Sequence, residues 1–143
     1  NLMTVAYCLN HWLSKIKKGG QLAFTSSSAS FLPLPRAQAY GASKAALSYM
    51  AKTLSIDLAP HNIDVSLINP GFVQTPLTQK NDFPMPGSVS SEQAAHAIFN
   101  GLTKRRHTIN FPSVFTSIMS TLALLPFSWW RLFAIRYLVR KTS

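Results

Sequence analysis

Helical and extended patterns alternate along this chain, and glycine or proline separates them. Apolar residues recur every three or four positions from Leu2 to Ile16, and Gly19-Gly20 follows, which predicts a first helix. The run QLAFT at 21–25 predicts a short buried strand that leads into a serine-rich loop. This alternation favours parallel strands joined by crossover helices, with ligand sites beyond the carboxyl ends of the strands.

The same alternation continues through the middle of the chain. A second, Ala- and Leu-rich helix is predicted from about Ala37 to Leu58, and Pro60 ends it. The remaining predicted elements are a strand at 62–68, a Pro- and Gly-rich loop at 70–88, a helix from the cap at 90–92 to about 102, and a strand at 108–111. The loop is long enough to be a functional lid. The predicted fold class is therefore α/β.

Charge is distributed unevenly along the 143 residues. The net charge is +10, and no acidic residue follows Glu92, whereas seven basic residues do. These cations lie among Trp, Phe, Leu and Ile rather than among Gly, Ser and Asn. That pattern favours a membrane-facing surface over a nucleic-acid groove.

The uncharged stretch from Thr108 to Trp130 has the length of a membrane span. Pro112 and Pro126 interrupt it and hydroxyl side chains dilute it, so two shorter helices that break at Pro126 are the better prediction. We expect the tail from about Phe111 to Arg140 to contact a membrane surface without crossing it. The alternative is a tail folded over a substrate pocket, with its apolar residues in the core.

The chain begins at Asn1 within a helical pattern, without an initiator methionine or a signal-peptide pattern, so we expect it to be part of a longer protein. Its only cysteine, Cys8, excludes an intramolecular disulfide and a cysteine-based metal site. We expect Cys8 to be a small buried apolar residue. The cysteine content favours a reducing cytoplasm. The histidines show no metal-binding spacing, and no serine-hydrolase elbow is present, so no metal site is predicted.

Tyr40 and Lys44 are four residues apart on the second predicted helix and therefore project from the same face. An adjacent ammonium favours the phenolate and lowers the pKa of a tyrosine, which suits it to general acid–base chemistry. Such a pair alone is weak evidence for a site. Ser27 lies 13 residues before Tyr40, and Pro70-Gly71-x-x-x-Thr75 follows the next predicted strand.

The order of strand, Ser, Y-x-x-x-K, strand and P-G-x-x-x-T resembles the short-chain dehydrogenase/reductase family from Asn1 to about Thr78. The stretch AYGASKAAL at 39–47 is especially similar. The resemblance implies the carboxy-terminal half of a Rossmann-like, doubly wound parallel sheet, with an apolar helical tail. Residues 1–110 would be the catalytic half, and residues 111–143 would be the tail.

The resemblance also implies residue roles in an NAD(P)-dependent interconversion of an alcohol and a carbonyl. Tyr40 would be the proton donor or acceptor, Lys44 would lower its pKa and bind the ribose, and Ser27 would stabilise the substrate oxygen. Asn1 would help to hold a water near Lys44, although a helix-cap role explains it as well. Tyr40 and Lys44 would also contact the cofactor, together with Pro70, Gly71, Phe72, Val73 and Thr75. Ser26, Ser28 and Ser30 would be loop hydrogen-bonding residues.

The family's glycine-rich phosphate turn does not occur in this sequence, so the choice between NAD and NADP cannot be read from it. An apolar lid predicts a lipophilic substrate; its residues are Phe72, Phe83, Pro84, Met85 and Pro86. We also expect a homo-oligomer through the first and second helices, with faces formed by Leu9, Trp12, Leu47 and Leu54. Two alternatives are a catalytically silent relative that only binds or scaffolds, and a basic nucleic-acid binder.

Overall fold

The computed structural model describes residues 2–78 and 85–139. It contains three strands, β1 (Gln21–Thr25), β2 (Asp64–Pro70) and β3 (Thr108–Phe111). Its α-helices are α1 (Met3–Trp12), α2 (Gln38–Asp57), α3 (Ser91–Thr103), α4 (Ser113–Leu122) and α5 (Phe127–Ala134). Single 3₁₀ turns follow α1, β1 and α2, and a π-helical turn at Ile135–Val139 extends α5.

The three strands form one parallel sheet in the order β1-β2-β3. Helix α2 connects β1 to β2, and α3 connects β2 to β3. Two successive parallel strands need such crossover connections. The sequence prediction of an α/β fold with parallel strands is therefore confirmed. All three strands run in the same direction, so their carboxyl ends lie at one edge.

The main core lies between α2 and the sheet. Buried residues of α2, Leu47 and Ala51, pack with Phe24 of β1 and with Val65 and Leu67 of β2. Five successive residues of β2, from 65 to 69, are buried, as expected for a central parallel strand covered on both faces. A second cluster joins Ile68 of β2 and Ile109 and Phe111 of β3 to Ala94 of α3. The first cluster fixes α2 against the strands, and the second fixes α3.

Local signals explain the element boundaries. The Ser90 hydroxyl accepts from the Gln93 backbone at 3.2 Å, and the Gln93 side chain accepts from the Ser90 backbone at 2.9 Å, which forms a capping box. The strand predicted at 62–68 is displaced, because Asn62 adopts a left-handed conformation with φ 53° and ends the turn before β2. Strand β2 then continues through Pro70 by pairing with β3.

Two predictions about burial are wrong. Cys8 is exposed, because it lines an open groove between α1 and the edge strand β1, together with Trp12 and Leu22. Leu47 is only 2% exposed and packs inside this chain's own core, so it cannot form a subunit face. Leu9 and Leu54 are half-buried against the same core, whereas Trp12 is exposed.

The tail forms two helices that meet near Pro126, as the sequence predicts. Met119 of α4 and Trp130 and Ala134 of α5 are buried together with Leu32, a residue of the loop that follows Ser27. The Trp130 indole Nε1 donates to the Pro33 carbonyl oxygen at 2.9 Å. One face of the tail is thus packed against the loop after β1. Across residues 2–78 and 85–139, we find no helix with the length and apolar character that a membrane crossing requires.

The contact between Trp130 and Pro33 generates a prediction. Replacing Trp130 by Phe in the full-length protein keeps an aromatic ring but removes the N–H donor and part of the buried surface. We expect the free energy of unfolding to fall by about 1–3 kcal/mol, and the amides of Phe31, Leu32 and Leu34 to exchange hydrogen faster. Denaturant titration and hydrogen exchange measure both quantities.

Trp129→Phe is the matched control, because Trp129 is its neighbour in sequence and is 65% exposed. Its effect should stay within about 0.5 kcal/mol, as for other surface substitutions. Equal effects of the two substitutions would contradict the anchoring role of Trp130.

Candidate active site

The residues after β1 and after β2 leave the sheet at the same edge. Thr25 is in register with Ile68, and the Ser26 backbone N–H donates to the Ile68 carbonyl oxygen at 2.8 Å. Ser27 and the loop that starts at Pro70 therefore emerge side by side. Ligand sites of open parallel sheets lie at such carboxyl ends.

Ser27 lies at the start of the 3₁₀ turn that follows β1. Its side-chain oxygen accepts from the Ala29 backbone N–H at 3.2 Å, and its carbonyl oxygen accepts from the Ser30 hydroxyl at 2.7 Å. Both bonds hold the residue in place. Within residues 2–78 and 85–139, the Ser27 hydroxyl donates no hydrogen bond that would occupy its proton. A half-buried hydroxyl of this kind can donate to a ligand oxygen.

Tyr40 and Lys44 lie on the first two turns of α2. The Lys44 ammonium is 5.9 Å from the centroid of the Tyr40 ring, and its Nζ donates to the Thr25 carbonyl oxygen at 2.9 Å. The Tyr40 ring is 47% exposed. Burial lowers the pKa of Lys44, because partial desolvation disfavours its charged form. One side chain thus connects the helix of Tyr40 to the end of β1, two residues before Ser27.

A serine cluster, formed by the buried Ser26 and Ser48 and the half-buried Ser30, connects α2 to the loop after β1. The Ser26 hydroxyl donates to the Lys44 carbonyl oxygen at 3.0 Å and lies 2.7 Å from the Ser48 hydroxyl oxygen. Ser48 also contacts Ser30 at 3.3 Å. Ser26 and Ser30 are loop hydrogen-bonding residues as predicted. The role of Ser48 was missed, although it lies four residues after Lys44 and therefore on the same helical face.

The loop after β2 is fixed by backbone contacts. The Gly71 N–H donates to the Phe111 carbonyl oxygen at 2.7 Å. Val73 pairs with Val89 in an isolated parallel bridge, in which the Val89 N–H donates to the Phe72 carbonyl oxygen at 3.0 Å. Pro70 itself is the last residue of β2. The loop is therefore held at the sheet edge beside Ser27.

The hydroxyl of Thr75 takes part in a local turn. It accepts from the Thr78 backbone N–H at 3.2 Å, while the Thr78 hydroxyl donates to the Val73 carbonyl oxygen at 2.6 Å. The Thr75 N–H in turn donates to the Thr78 hydroxyl at 2.9 Å. Sequence reasoning gave no role to Thr78. The T-x-x-T spacing, typical of hydroxyl-capped turns, was the available signal.

The tail helix α4 packs against the same loop. The rings of Phe115 and Phe72 lie 5.5 Å apart. A Cβ atom on Gly71 would come within 2.9 Å of Phe115 and 3.0 Å of Pro112, so only glycine permits this approach. Met85 and Pro86, which begin the described part after the gap, are half-buried and exposed, respectively. The tail therefore contacts the loop after β2 as well as the loop after β1.

Some predicted residues cannot be placed. Asn1, Phe83, Pro84 and Arg140 lie outside the described residues. In the described part of the chain, no three His, Cys, Asp or Glu side chains come together as metal ligands. The structure brings Ser27, Lys44 and the Pro70–Thr75 loop to one sheet edge, with Tyr40 above them on α2.

Comparison with known proteins identifies relatives of this arrangement. The short chain dehydrogenase family matches residues 1–85. An uncharacterized oxidoreductase of Myxococcus xanthus is 38% identical over 96 residues, which cover 67% of this chain and 38% of the relative. The 11-beta-hydroxysteroid dehydrogenase-like 3 protein of Arabidopsis thaliana is 41% identical over 103 residues, 67% of this chain and 32% of the relative. The chain thus spans about a third of the length of these curated relatives.

Solved structures show the same fold. A short-chain dehydrogenase from Streptomyces avermitilis superposes with a TM-score of 0.69 at 23% identity, over 96% of this chain and 58% of that one. A short chain dehydrogenase from Burkholderia cenocepacia, solved in complex with NADP, gives a TM-score of 0.67 at 23% identity, over 84% of this chain and 48% of that one. The parallel sheet, the family match and the relatives agree, and the chain belongs to the short-chain dehydrogenase family.

Proposed function

We propose that this chain forms the catalytic half of an NAD(P)-dependent oxidoreductase that interconverts an alcohol and a carbonyl. The observation that carries the proposal is the position of Lys44. Its ammonium lies near the Tyr40 ring and bonds to the end of β1, so a tyrosine, a lysine and Ser27 are held at one ligand-binding edge. A scaffold or binding protein would not require this set of proton-active groups.

Proton transfer would be the task of Tyr40. In carbonyl reduction its hydroxyl would donate a proton to the substrate oxygen, and in oxidation its phenolate would accept one. Lys44 would place its positive charge beside this ring. Ser27, whose oxygen already accepts from Ala29, would donate its hydroxyl hydrogen to the substrate oxygen as negative charge develops there.

The cofactor would supply or accept the hydride. Lys44 has three N–H donors and Thr25 uses one of them, so the others suit ribose hydroxyls. Pro70, Gly71, Phe72 and Val73 would lie against the nicotinamide. The Thr75 hydroxyl would need to share its turn with Thr78 if it also contacts the cofactor. Related structures that were solved in complex with NADPH, NADP or NADH support a nicotinamide dinucleotide as the cofactor.

A lipophilic substrate is part of the proposal. Apolar side chains surround the sheet edge on the tail side: Phe31 and Leu34 follow Ser27, Phe72 follows β2, and Phe115 lies on α4. The relatives in Arabidopsis and Sesamum indicum carry hydroxysteroid dehydrogenase names, which agrees with an apolar substrate. Peripheral membrane contact by the tail would give such a substrate a source. We propose that the protein lies in the cytoplasm or on the cytoplasmic surface of a membrane.

A homo-oligomer through α1 and α2 remains part of the proposal, with a changed set of residues. Exposed side chains on these helices include Tyr7, Trp12 and Ile56. These residues replace Leu47, which is buried in the core of this chain.

Tyr40→Phe tests the catalytic assignment in the full-length protein. The substitution removes one hydroxyl and keeps the ring, so cofactor binding should change little. Turnover should fall at least about 100-fold, as expected for a lost general acid. Steady-state kinetics with NADH and NADPH and a panel of carbonyl compounds measures this.

Tyr49→Phe is the control, because Tyr49 lies on the same helix and is 77% exposed. It should retain wild-type turnover. If Tyr40→Phe also retains it, Tyr40 is not the proton donor and the proposed mechanism is wrong.

A second prediction concerns the isolated 143-residue chain. Its sequence contains no glycine-rich phosphate turn, so we expect no saturable binding of NADH or NADPH. Titration followed by nicotinamide fluorescence measures this, with circular dichroism to show that the chain is folded and the full-length protein as the positive control. Saturable binding at micromolar concentration would place the cofactor site elsewhere.

A further inference from the structure

Much of the apolar surface of the tail stays exposed although part of the tail packs against the two loops. Of the 20 large apolar or aromatic side chains that are exposed in the described chain, 12 lie between residues 114 and 139. Exposed apolar side chains at this density mark an interaction surface rather than ordinary protein exterior. The described tail therefore presents a second face beside the one that packs on the loops.

The two faces of α5 are separated by helical geometry. Trp130 and Ala134 are 3% and 8% exposed and form its inner face. A neighbouring, exposed stripe contains Trp129, Leu132, Phe133 and Arg136, which follow the spacing i, i+3, i+4, i+7. Trp129 and Leu132 are each 65% exposed. We call this stripe the outer face of α5.

The turn between α4 and α5 extends this apolar surface. Leu124 is 85% exposed and Phe127 is 62% exposed, one on each side of Pro126. Helix α4 contributes less, because its outward stripe mixes Val114 and Ile118 with Ser117 and Thr121. The surface is thus concentrated on α5 and the turn before it.

Charge indicates what covers this surface. Arg131 and Arg136 lie on α5 and its extension, and no acidic residue follows Glu92 anywhere in the sequence. Two copies of the face would bring arginines together without a carboxylate to pair with them. An anionic lipid surface pairs with both features, because tryptophan favours the headgroup layer and arginine reaches the phosphates while its methylenes stay apolar.

We propose that the outer face of α5 and the Leu124–Phe127 turn rest on an anionic bilayer, with the helix lying in the plane of the interface. This inference deepens the proposed function and rests on it only where it names the substrate's source. The inner face of the same helix holds the Pro33 carbonyl, six residues after Ser27. A docked α5 therefore places the loop that follows Ser27 next to the lipid, which suits an amphiphilic carbonyl or alcohol that partitions into membranes.

Co-sedimentation of the full-length protein with vesicles tests the proposal. Phosphatidylcholine vesicles and vesicles that also contain phosphatidylglycerol are compared at low and high salt. We expect binding to the anionic vesicles that weakens with salt. Arg136→Gln should weaken it about fivefold at low salt, and Trp129→Ser should weaken it about tenfold or more.

Phe99→Ser is the matched control for Trp129→Ser, because Phe99 is an aromatic residue on α3 with 68% exposure. It should bind vesicles like the wild type. Binding that survives both tail variants, or a protein that stays in the supernatant under every condition, overturns the proposal. A wild-type oligomer that Trp129→Ser dissociates in the absence of lipid would show that a second copy covers the face, and it overturns the proposal too.

The outcome is separable from that of the catalytic proposal. Tyr40→Phe should sediment with anionic vesicles like the wild type, whereas Trp129→Ser should retain turnover of a water-soluble carbonyl substrate. Loss of turnover without loss of vesicle binding concerns the mechanism alone. Loss of vesicle binding with intact turnover concerns α5 alone.

Discussion

The contact of α2 with the carboxyl ends of the strands determines where every candidate reactive group lies. Leu47 and Ala51 seal the helix against β1 and β2, and the Ser26 hydroxyl bonds to the Lys44 backbone. Near its start the helix approaches the loop closely, since a Cβ on Gly41 would lie 3.4 Å from the Ala29 carbonyl oxygen. The apolar contacts set the position of the helix along the sheet. The hydrogen bonds of the buried serine hydroxyls hold the helix close to the loop that contains Ser27, because buried polar groups are nearly always hydrogen-bonded.

The fold was largely predictable because local patterns agree with the tertiary arrangement. The strand at 21–25 and the break near Pro126 were predicted from periodicity and proline, and the structure has them there. Strand β2 was displaced, since Asn62 adopts a left-handed conformation and β3 pairing carries the strand through Pro70. Pairing between distant segments has no local signal. The same reason explains why the exposure of Cys8 and the burial of Leu47 were missed.

The residues of the candidate site were also only partly predictable from the sequence. Spacing and family resemblance identified Tyr40, Lys44 and Ser27, because their types and order carry the chemistry. The supporting contacts could not be identified in that way. Ser48 acts through side-chain bonds to Ser26 and Ser30, whose proximity appears only in the folded chain. Thr78 bonds locally to Val73 and Thr75, so its spacing was the only available signal. The Phe115 contact with Phe72 joins residues 43 positions apart, and no pattern in either segment indicates its partner.

The folded tail has surface for both interpretations of its sequence. An apolar tail could either fold over the pocket or meet a membrane, and sequence composition alone treats these as alternatives. Helix α5 has a buried stripe through Trp130 and an exposed stripe through Trp129, so a single helix can serve both roles on two different faces. Adjacent tryptophans project about 100° apart around a helix, which is why neighbouring residues of the same type differ so much in exposure. The buried stripe packs α5 against the loop after Ser27, so the position of the helix depends on that loop. A displacement of α5 by binding at its outer face would therefore reach the loop through the hydrogen bond from Trp130 to Pro33.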